Sequence, residues 1–174
     1  MIARFGGPSV GDGERVHRAA DSIASAGASG NEMAVVVSAM GGTTDRLLEQ
    51  IQFDASEEDR AEIVSMGERT AVRMLKGALE ARGIESLFLE PGREEWPIIT
   101  DAYGEVDVPE TRRRGEAIVD RMSAGVVPVL PGFLAEAHEG RIPTPGRRGR
   151  HTPAAMLANS PHADELTIVT AAEG

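Results

Sequence analysis

The sequence predicts an α/β layer fold with a mostly parallel sheet, and three observations point there. Segments of strand and helix character alternate along the chain, the opening reads as a strand–helix–strand unit, and the second strand is apolar throughout rather than alternating. A strand apolar at every position is what a parallel sheet covered on both faces requires.

The first strand is the short apolar segment 2–5. Val16, Ala19, Ala20, Ile23 and Ala24 then recur at helical spacing, with Gly27 and Gly30 placed to end the helix. Residues 33–37, rich in valine, form the second strand. After the turn at Gly41 and Gly42, Thr43 or Thr44 is expected to cap a short helix carrying Leu47, Leu48 and Ile51. A longer helix over 57–82 carries Ile63, Val64, Gly67, Ala71, Met74, Leu75 and Ala78 on one face and stops at Gly83.

Residues 86–89 read as a strand and 96–100 as an extended segment entering a loop. Pro109 opens a helix that runs to about residue 122. Residues 126–133 read as a strand interrupted by Pro128 and Pro131, and 134–142 as a hairpin turning near Gly140. A short helix over 152–159 and a strand over 165–170 follow. No repeat, low-complexity linker or domain boundary is visible, and 174 residues suit one domain spanning 1–174.

Composition excludes several function classes. A net charge of -10 disfavours non-specific contact with nucleic acid or an acidic membrane surface, because the phosphates would be repelled. The absence of cysteine excludes disulfides and Cys-ligated zinc. His17, His138, His151 and His162 are too scattered to form a local metal motif, so no metal site is expected. There is no signal-peptide pattern at the start and no apolar run of the roughly 20 residues that span a bilayer, so a soluble, cytoplasmic protein is expected. Lys76 is the only lysine among many arginines; an acidic, lysine-poor surface fits a high-salt habitat, and a GC-rich genome fits it equally.

Two features suggest chemistry. The turn Gly6-Gly7-Pro8-Ser9-Val10-Gly11 lies between a strand and a helix, where backbone N–H groups can hold an anion, although any tight turn there also favours glycine. Glu68 interrupts the apolar stripe of the long helix between Val64 and Ala71 or Leu75. A carboxylate there must be paired, hydrogen-bonded or open to a cleft, so it is either a site residue or an ion-pair partner of Arg69 or Arg73.

The residues then carry a family resemblance. Arg4-Phe5-Gly6-Gly7-Pro8-Ser9-Val10-Gly11 resembles the opening motif of aspartate kinases, Lys-Phe-Gly-Gly-Thr-Ser-Val or Leu-Gly, and Val36-Val37-Ser38-Ala39-Met40-Gly41 resembles their second-strand motif. Ser65-Met66-Gly67-Glu68-Arg69 matches the substrate-binding helix, and Trp96-Pro97-Ile98-Ile99-Thr100-Asp101 the loop after the third strand. Gly146-Arg147-Arg148-Gly149-Arg150-His151-Thr152 stands where the family has Gly-Arg-Gly-Gly-Ser-Asp-Thr. Val169-Thr170-Ala171-Ala172-Glu173-Gly174 stands where it has Thr-Asp-Val-Asp or Glu-Gly.

The blocks keep the family's order across nearly the whole chain, and the chain is identified as a member of the aspartate kinase group, amino-terminal half. The resemblance implies the amino acid kinase fold, a three-layer α/β/α sandwich, and a chain that stops before the nucleotide-binding half and any regulatory domain. It also implies transfer of the γ-phosphoryl of ATP to the side-chain carboxylate of L-aspartate, with Mg²⁺.

On the acceptor side, the resemblance makes Ser38, Thr44, Glu68 and Arg147 substrate-binding, with Glu68 facing the ammonium and Arg147 a carboxylate. That pairing suits a zwitterion. It assigns Gly6, Gly7, Ser9, Gly149 and Thr170 to phosphate or nucleotide, and makes Arg4 and His151 the counterparts of the family's catalytic lysine and aspartate.

On this side the chain departs from the pattern. Arg4 is larger and planar where lysine is compact, Pro8 lacks a hydroxyl and an N–H, and Arg148, Arg150, His151 and Ala171 replace glycine, serine and two aspartates. Phosphoryl transfer depends on positioning and electrostatics, so these changes predict a degenerate, catalytically impaired homologue that retains aspartate binding. Two alternatives stay open. One is an active kinase using Arg4 with a partner-supplied nucleotide half; the other is a non-enzymatic, anion-binding or regulatory paralogue using the basic cluster Arg141, Arg147, Arg148, Arg150 and His151. Homodimerisation or association with a full-length aspartate kinase is the expected assembly.

Overall fold

The computed structural model describes residues 1–101, 105–137, 140, 142 and 166–169. Strand β1 (Ile2–Phe5) runs through a 3-10 turn (Gly7–Val10) into helix α1 (Gly13–Ala28), followed by β2 (Ala34–Val37), α2 (Thr43–Gln50), α3 (Glu57–Glu80) and β3 (Ser86–Phe88). Then come β4 (Ile99–Thr100), α4 (Val108–Ser123), β5 (Val127–Pro131), β6 (Glu136–Ala137) and β7 (Leu166–Val169). The main sheet has the order β3-β5-β2-β1-β7, and every neighbouring pair is parallel. β4 and β6 form a separate parallel pair.

Strand alternation divides the interior into two cores and so builds three layers. Ala3, Phe5, Val35, Val37 and Val129 face one way, onto Val16, Ala20 and Ile23 of α1 and Val72, Leu75 and Leu79 of α3. Ile2, Ala34, Val36 and Leu130 face the other way, onto Ile118 and Met122 of α4 and onto Trp96, Ile98 and Leu134. Both faces of β2 are covered, which explains its unbroken apolar run.

The helix starts follow local chemistry. Asp12, Ser56 and Asp107 each accept a hydrogen bond from the N–H three residues on, at 2.8, 3.0 and 3.1 Å, satisfying amides that the first turn leaves open. Pro109 sits within the first turn of α4, where its missing N–H costs nothing. Gly83, with φ +73, closes the turn that follows α3, its N–H bonded to Glu80 O at 2.9 Å.

Several expectations are corrected. Neither Thr43 nor Thr44 caps α2: Gly42 holds the cap position at φ +68, a left-handed backbone suited to glycine, while the Thr43 N–H closes a turn on Met40 O at 2.9 Å. Gly67, Ala71 and Leu75 are buried on α3 as expected, but Met74 points outward at 44% exposure, and the buried face also takes in Ala61, Ser65, Glu68, Val72 and Leu79. The long helix ends at Glu80 rather than at 82.

The prolines do not interrupt β5. Val127 N–H donates to Glu85 O and Leu89 N–H to Val129 O, so by alternation Pro128 faces β2, whose register with β5 begins one residue later at Val35 and Val129. Pro131 is the last residue of the strand. β6 pairs in parallel with β4, and the expected turn is present at Gly140, φ +81, whose N–H donates to Ala137 O at 2.7 Å; residues 138, 139 and 141 of the expected hairpin lie outside the described residues. The expected helix over 152–159 lies outside the described residues. The last expected strand is present as Leu166–Val169 at the edge of the sheet beside β1.

The corrected stripe predicts unequal costs on α3. Leu75→Ala should lose roughly 2–5 kcal/mol in urea unfolding, as a fully buried leucine does, whereas Met74→Ala should stay within about 1 kcal/mol of wild type.

Candidate functional site

The carboxyl ends of β1, β2 and β5 lie side by side, and in an open parallel sheet this is the edge where ligands bind. Three loops leave it. Gly6 and Gly7 follow β1, Ser38 to Gly42 follow β2, and Gly132 and Phe133 follow β5. They pack closely: a Cβ on Gly7 would stand 2.9 Å from Ala39 O, and one on Gly132 would stand 3.2 Å from Val37 O and 3.4 Å from Ser38 Oγ. The N–H of Ser38 is fixed by Phe5 O at 3.1 Å.

Glu68 enters this junction from the middle of the buried stripe of α3, with only 5% of its surface exposed. Its Oε2 accepts the Phe133 N–H at 3.0 Å. Burial pushes the carboxyl up to about 7; the amides of Phe133 and Gly132, the charge of Arg4 and the amide of Ala39 hold it from rising further. The ion pair with Arg69 or Arg73 that the sequence left open is absent. Those arginines turn to Glu90 instead, Arg73 through two bonds of 2.8 and 2.7 Å and Arg69 at 3.5 Å.

Arg4 stands near the end of β1, opposite Val36 in register. Its Nε is buried and makes no hydrogen bond to any described residue. Its guanidinium lies over the Phe133 ring, 5.5 Å from the centroid. Among the described residues, Arg4 is the charged side chain that acts on Glu68.

The structure therefore brings together Arg4, Gly6, Gly7, Ser38 and Glu68. Thr44 is half-buried in the first turn of α2, and no hydrogen bond joins it to Glu68. Ser9 lies in the 3-10 turn, its N–H bonded to Gly6 O at 2.9 Å, and Pro8 is exposed beside it, its carbonyl accepting from Arg15 at 2.7 Å. Arg147, Gly149, His151 and Thr170 lie outside the described residues, as do Arg141, Arg148, Arg150 and Ala171.

Sequence reasoning missed Gly132 and Phe133, whose backbone closes over the carboxylate; the signal was a glycine directly after an apolar strand. It also missed Glu90. No group of three or more His, Asp or Glu side chains that could hold a metal ion occurs among the described residues, so Mg²⁺ is assigned to none of them. No helix among them is long and apolar enough to cross a membrane.

The molecule is a parallel three-layer α/β domain with a buried carboxylate and a nearby guanidinium at the carboxyl edge of its sheet. The chain belongs to the amino acid kinase family, whose model matches residues 1–174. It is 35% identical over 179 residues to an aspartokinase of Thermus thermophilus, covering 100% of this chain and 43% of the relative. It is 32% identical over 184 residues to an aspartate kinase of Pseudomonas fluorescens, again 100% of this chain and 43% of the relative.

Among solved structures, E. coli aspartokinase III in complex with aspartate and ADP superposes with a TM-score of 0.77 at 22% identity, over 96% of this chain and 48% of the other. The aspartate kinase from Synechocystis superposes with a TM-score of 0.73 at 30% identity, over 97% and 28%. The chain thus spans less than half the length of these relatives and matches their amino-terminal part. The expected three-layer fold is the fold observed.

Glu68 makes stability depend on pH. Its folded carboxyl titrates near 7 against an ordinary value of 4.5, so between those values the native state keeps a proton that the unfolded chain has released. The penalty is absent below about pH 4.5, grows as pH rises and reaches roughly 3 kcal/mol above pH 7. Glu68→Gln cannot ionise, so urea unfolding across this range should show the variant gaining roughly 3 kcal/mol on wild type from acid to alkaline pH. Parallel pH profiles for the two proteins would contradict the burial argument.

Proposed function

We propose that this chain is the acceptor-binding part of an aspartokinase-type protein, working in the cytoplasm, that binds L-aspartate and transfers phosphoryl groups poorly or not at all. The observation carrying this reading is Glu68, a buried carboxylate held by backbone amides and, among the described residues, without a cationic partner within ion-pair distance. An ammonium is the kind of group that would complete it. The relatives named aspartokinase supply the amino-acid class, and L-aspartate is the member whose side chain accepts phosphate in that family's reaction.

ATP with Mg²⁺ would supply the phosphoryl group. Within this chain Glu68 would take the substrate ammonium, Ser38 and Thr44 would line the acceptor side, and Arg147 would pair with the α-carboxylate. Arg4 would place positive charge near the acceptor carboxylate. A planar guanidinium spread against an aromatic ring does not concentrate charge as an ammonium does, and Pro8 offers no N–H to phosphate. His151, Gly149 and Thr170 enter this scheme through the family resemblance alone.

A second reading, an active kinase with Arg4 in the lysine's role, is favoured by the position of Arg4 beside Glu68 with its Nε bonded to none of the described residues. Calorimetric titration with L-aspartate should give saturable binding that Glu68→Ala weakens about 10- to 100-fold, the range for losing a charged hydrogen bond. Absence of binding by the wild-type chain would reject the acceptor site. A coupled ATP- and aspartate-dependent assay at high salt should show no turnover above background; turnover that Arg4→Met abolishes would establish the second reading instead.

A further inference from the structure

A site that must receive an ammonium at one end and a carboxylate at the other has to keep its own anion and cation from neutralising each other. Glu68 and Arg4 are close enough for the arginine's charge to act on the carboxylate, yet no salt bridge forms between them. The arginine is left with a buried Nε that no described group satisfies. Such a group is expected to seek the nearest acceptor, and Glu68 is a carboxylate within its electrostatic reach.

Phe133 stands between these outcomes. Its N–H holds Glu68 Oε2 at 3.0 Å, and its ring face carries the Arg4 guanidinium 5.5 Å from the centroid. The ring is 52% exposed, so it contributes little to either core. The backbone on both sides is anchored, by Gly132 packed on Val37 and Ser38 and by buried Leu134. Phe133 is thus fixed at the main chain and open at the side chain, with one face of its ring used by a cation.

We propose that Phe133 is a positioning residue that keeps Arg4 and Glu68 apart, holding the arginine on its ring and the carboxylate on its amide so that both remain available to a zwitterionic ligand. Ring contact compensates the guanidinium without consuming its hydrogen-bond donors. Removing the ring while keeping the amide should let Arg4 fall onto Glu68 and form the ion pair that the present arrangement prevents.

The test is the titration of Glu68, followed by carbon-detected NMR of the side-chain carboxyl in the purified chain. Arg4→Met should move the midpoint upward, because a stabilising charge is lost. Phe133→Leu should move it downward, because the arginine closes on the carboxylate. Phe133→Tyr should leave it at the wild-type value, and Phe133→Leu added to Arg4→Met should change nothing further. The Leu variant retains the backbone N–H and replaces a half-exposed ring, so its thermal midpoint should stay near wild type; a purely structural role for Phe133 would move that midpoint and spare the titration. An unchanged or raised Glu68 midpoint in Phe133→Leu would overturn the proposal.

The inference rests on the aspartate-binding reading only for the identity of the ligand. Loss of L-aspartate affinity in Phe133→Leu, recovered in Phe133→Tyr, supports both. A chain that binds no aspartate but shows the opposed midpoint shifts supports the positioning role and rejects the ligand.

Discussion

The structure depends on one constraint: β2 is covered completely on both faces. Ala34, Val35, Val36 and Val37 are each without exposed surface, so every residue of the strand is committed to one of the two cores. A strand in that position needs parallel neighbours on each side and helices above and below. β1 and β5 supply the neighbours, and α1 with α3 on one face and α4 on the other supply the cover. The loops that leave the carboxyl ends of β1, β2 and β5 then have no room to diverge. Their close contacts at Gly7 and Gly132 follow from that crowding, and so does the convergence of amides on one point.

Two carboxylates buried on this side of the sheet are stabilised in opposite ways. Burial alone would raise Glu90, but the Arg73 fork together with the charges of Arg69 and Arg93 outweighs it and holds the carboxyl below the usual range. Arg73 and Arg93 also lie over the Phe88 ring, at 4.5 and 4.0 Å from its centroid, so the end of β3 is tied to α3 by charge and by stacking together. Glu68, on the same helix, receives backbone dipoles and the charge of Arg4, and burial prevails. The first arrangement is closed and fixes the rotation of α3. The second is incomplete, and the fixed rotation is what presents it to the loops.

This contrast also explains what was legible in the sequence. The three layers, the order of elements and the interruption of the α3 stripe at Glu68 could be read because periodicity reports which residues leave water. The partners of Glu68 could not. Arg69 and Arg73 were the plausible ones by helical spacing, but Glu90, distant in sequence, captures both, and only the fold brings β3 to them. Backbone amides carry no sequence signature, so the roles of Phe133, Gly132 and Ala39 stayed hidden. Pro128 misled for a related reason: proline signals a broken ladder, yet its position in β5 faces a place where the ladder has not begun.

Position 4 brings these threads together. The family resemblance puts a lysine at the end of β1, where its charge would serve phosphate chemistry. The buried carboxylate beside it gives a separate reason for the charge. Without any nearby cation, Glu68 would be restrained by amide dipoles alone against a large desolvation cost. Arginine meets that electrostatic need as well as lysine does, and its planar group rests over the Phe133 ring. Glu68 therefore sets its own physical demand for positive charge at this position, independent of any phosphoryl chemistry. Relative to the lysine that the family resemblance implies at this position, arginine preserves the field that Glu68 requires while spreading the charge over a planar group.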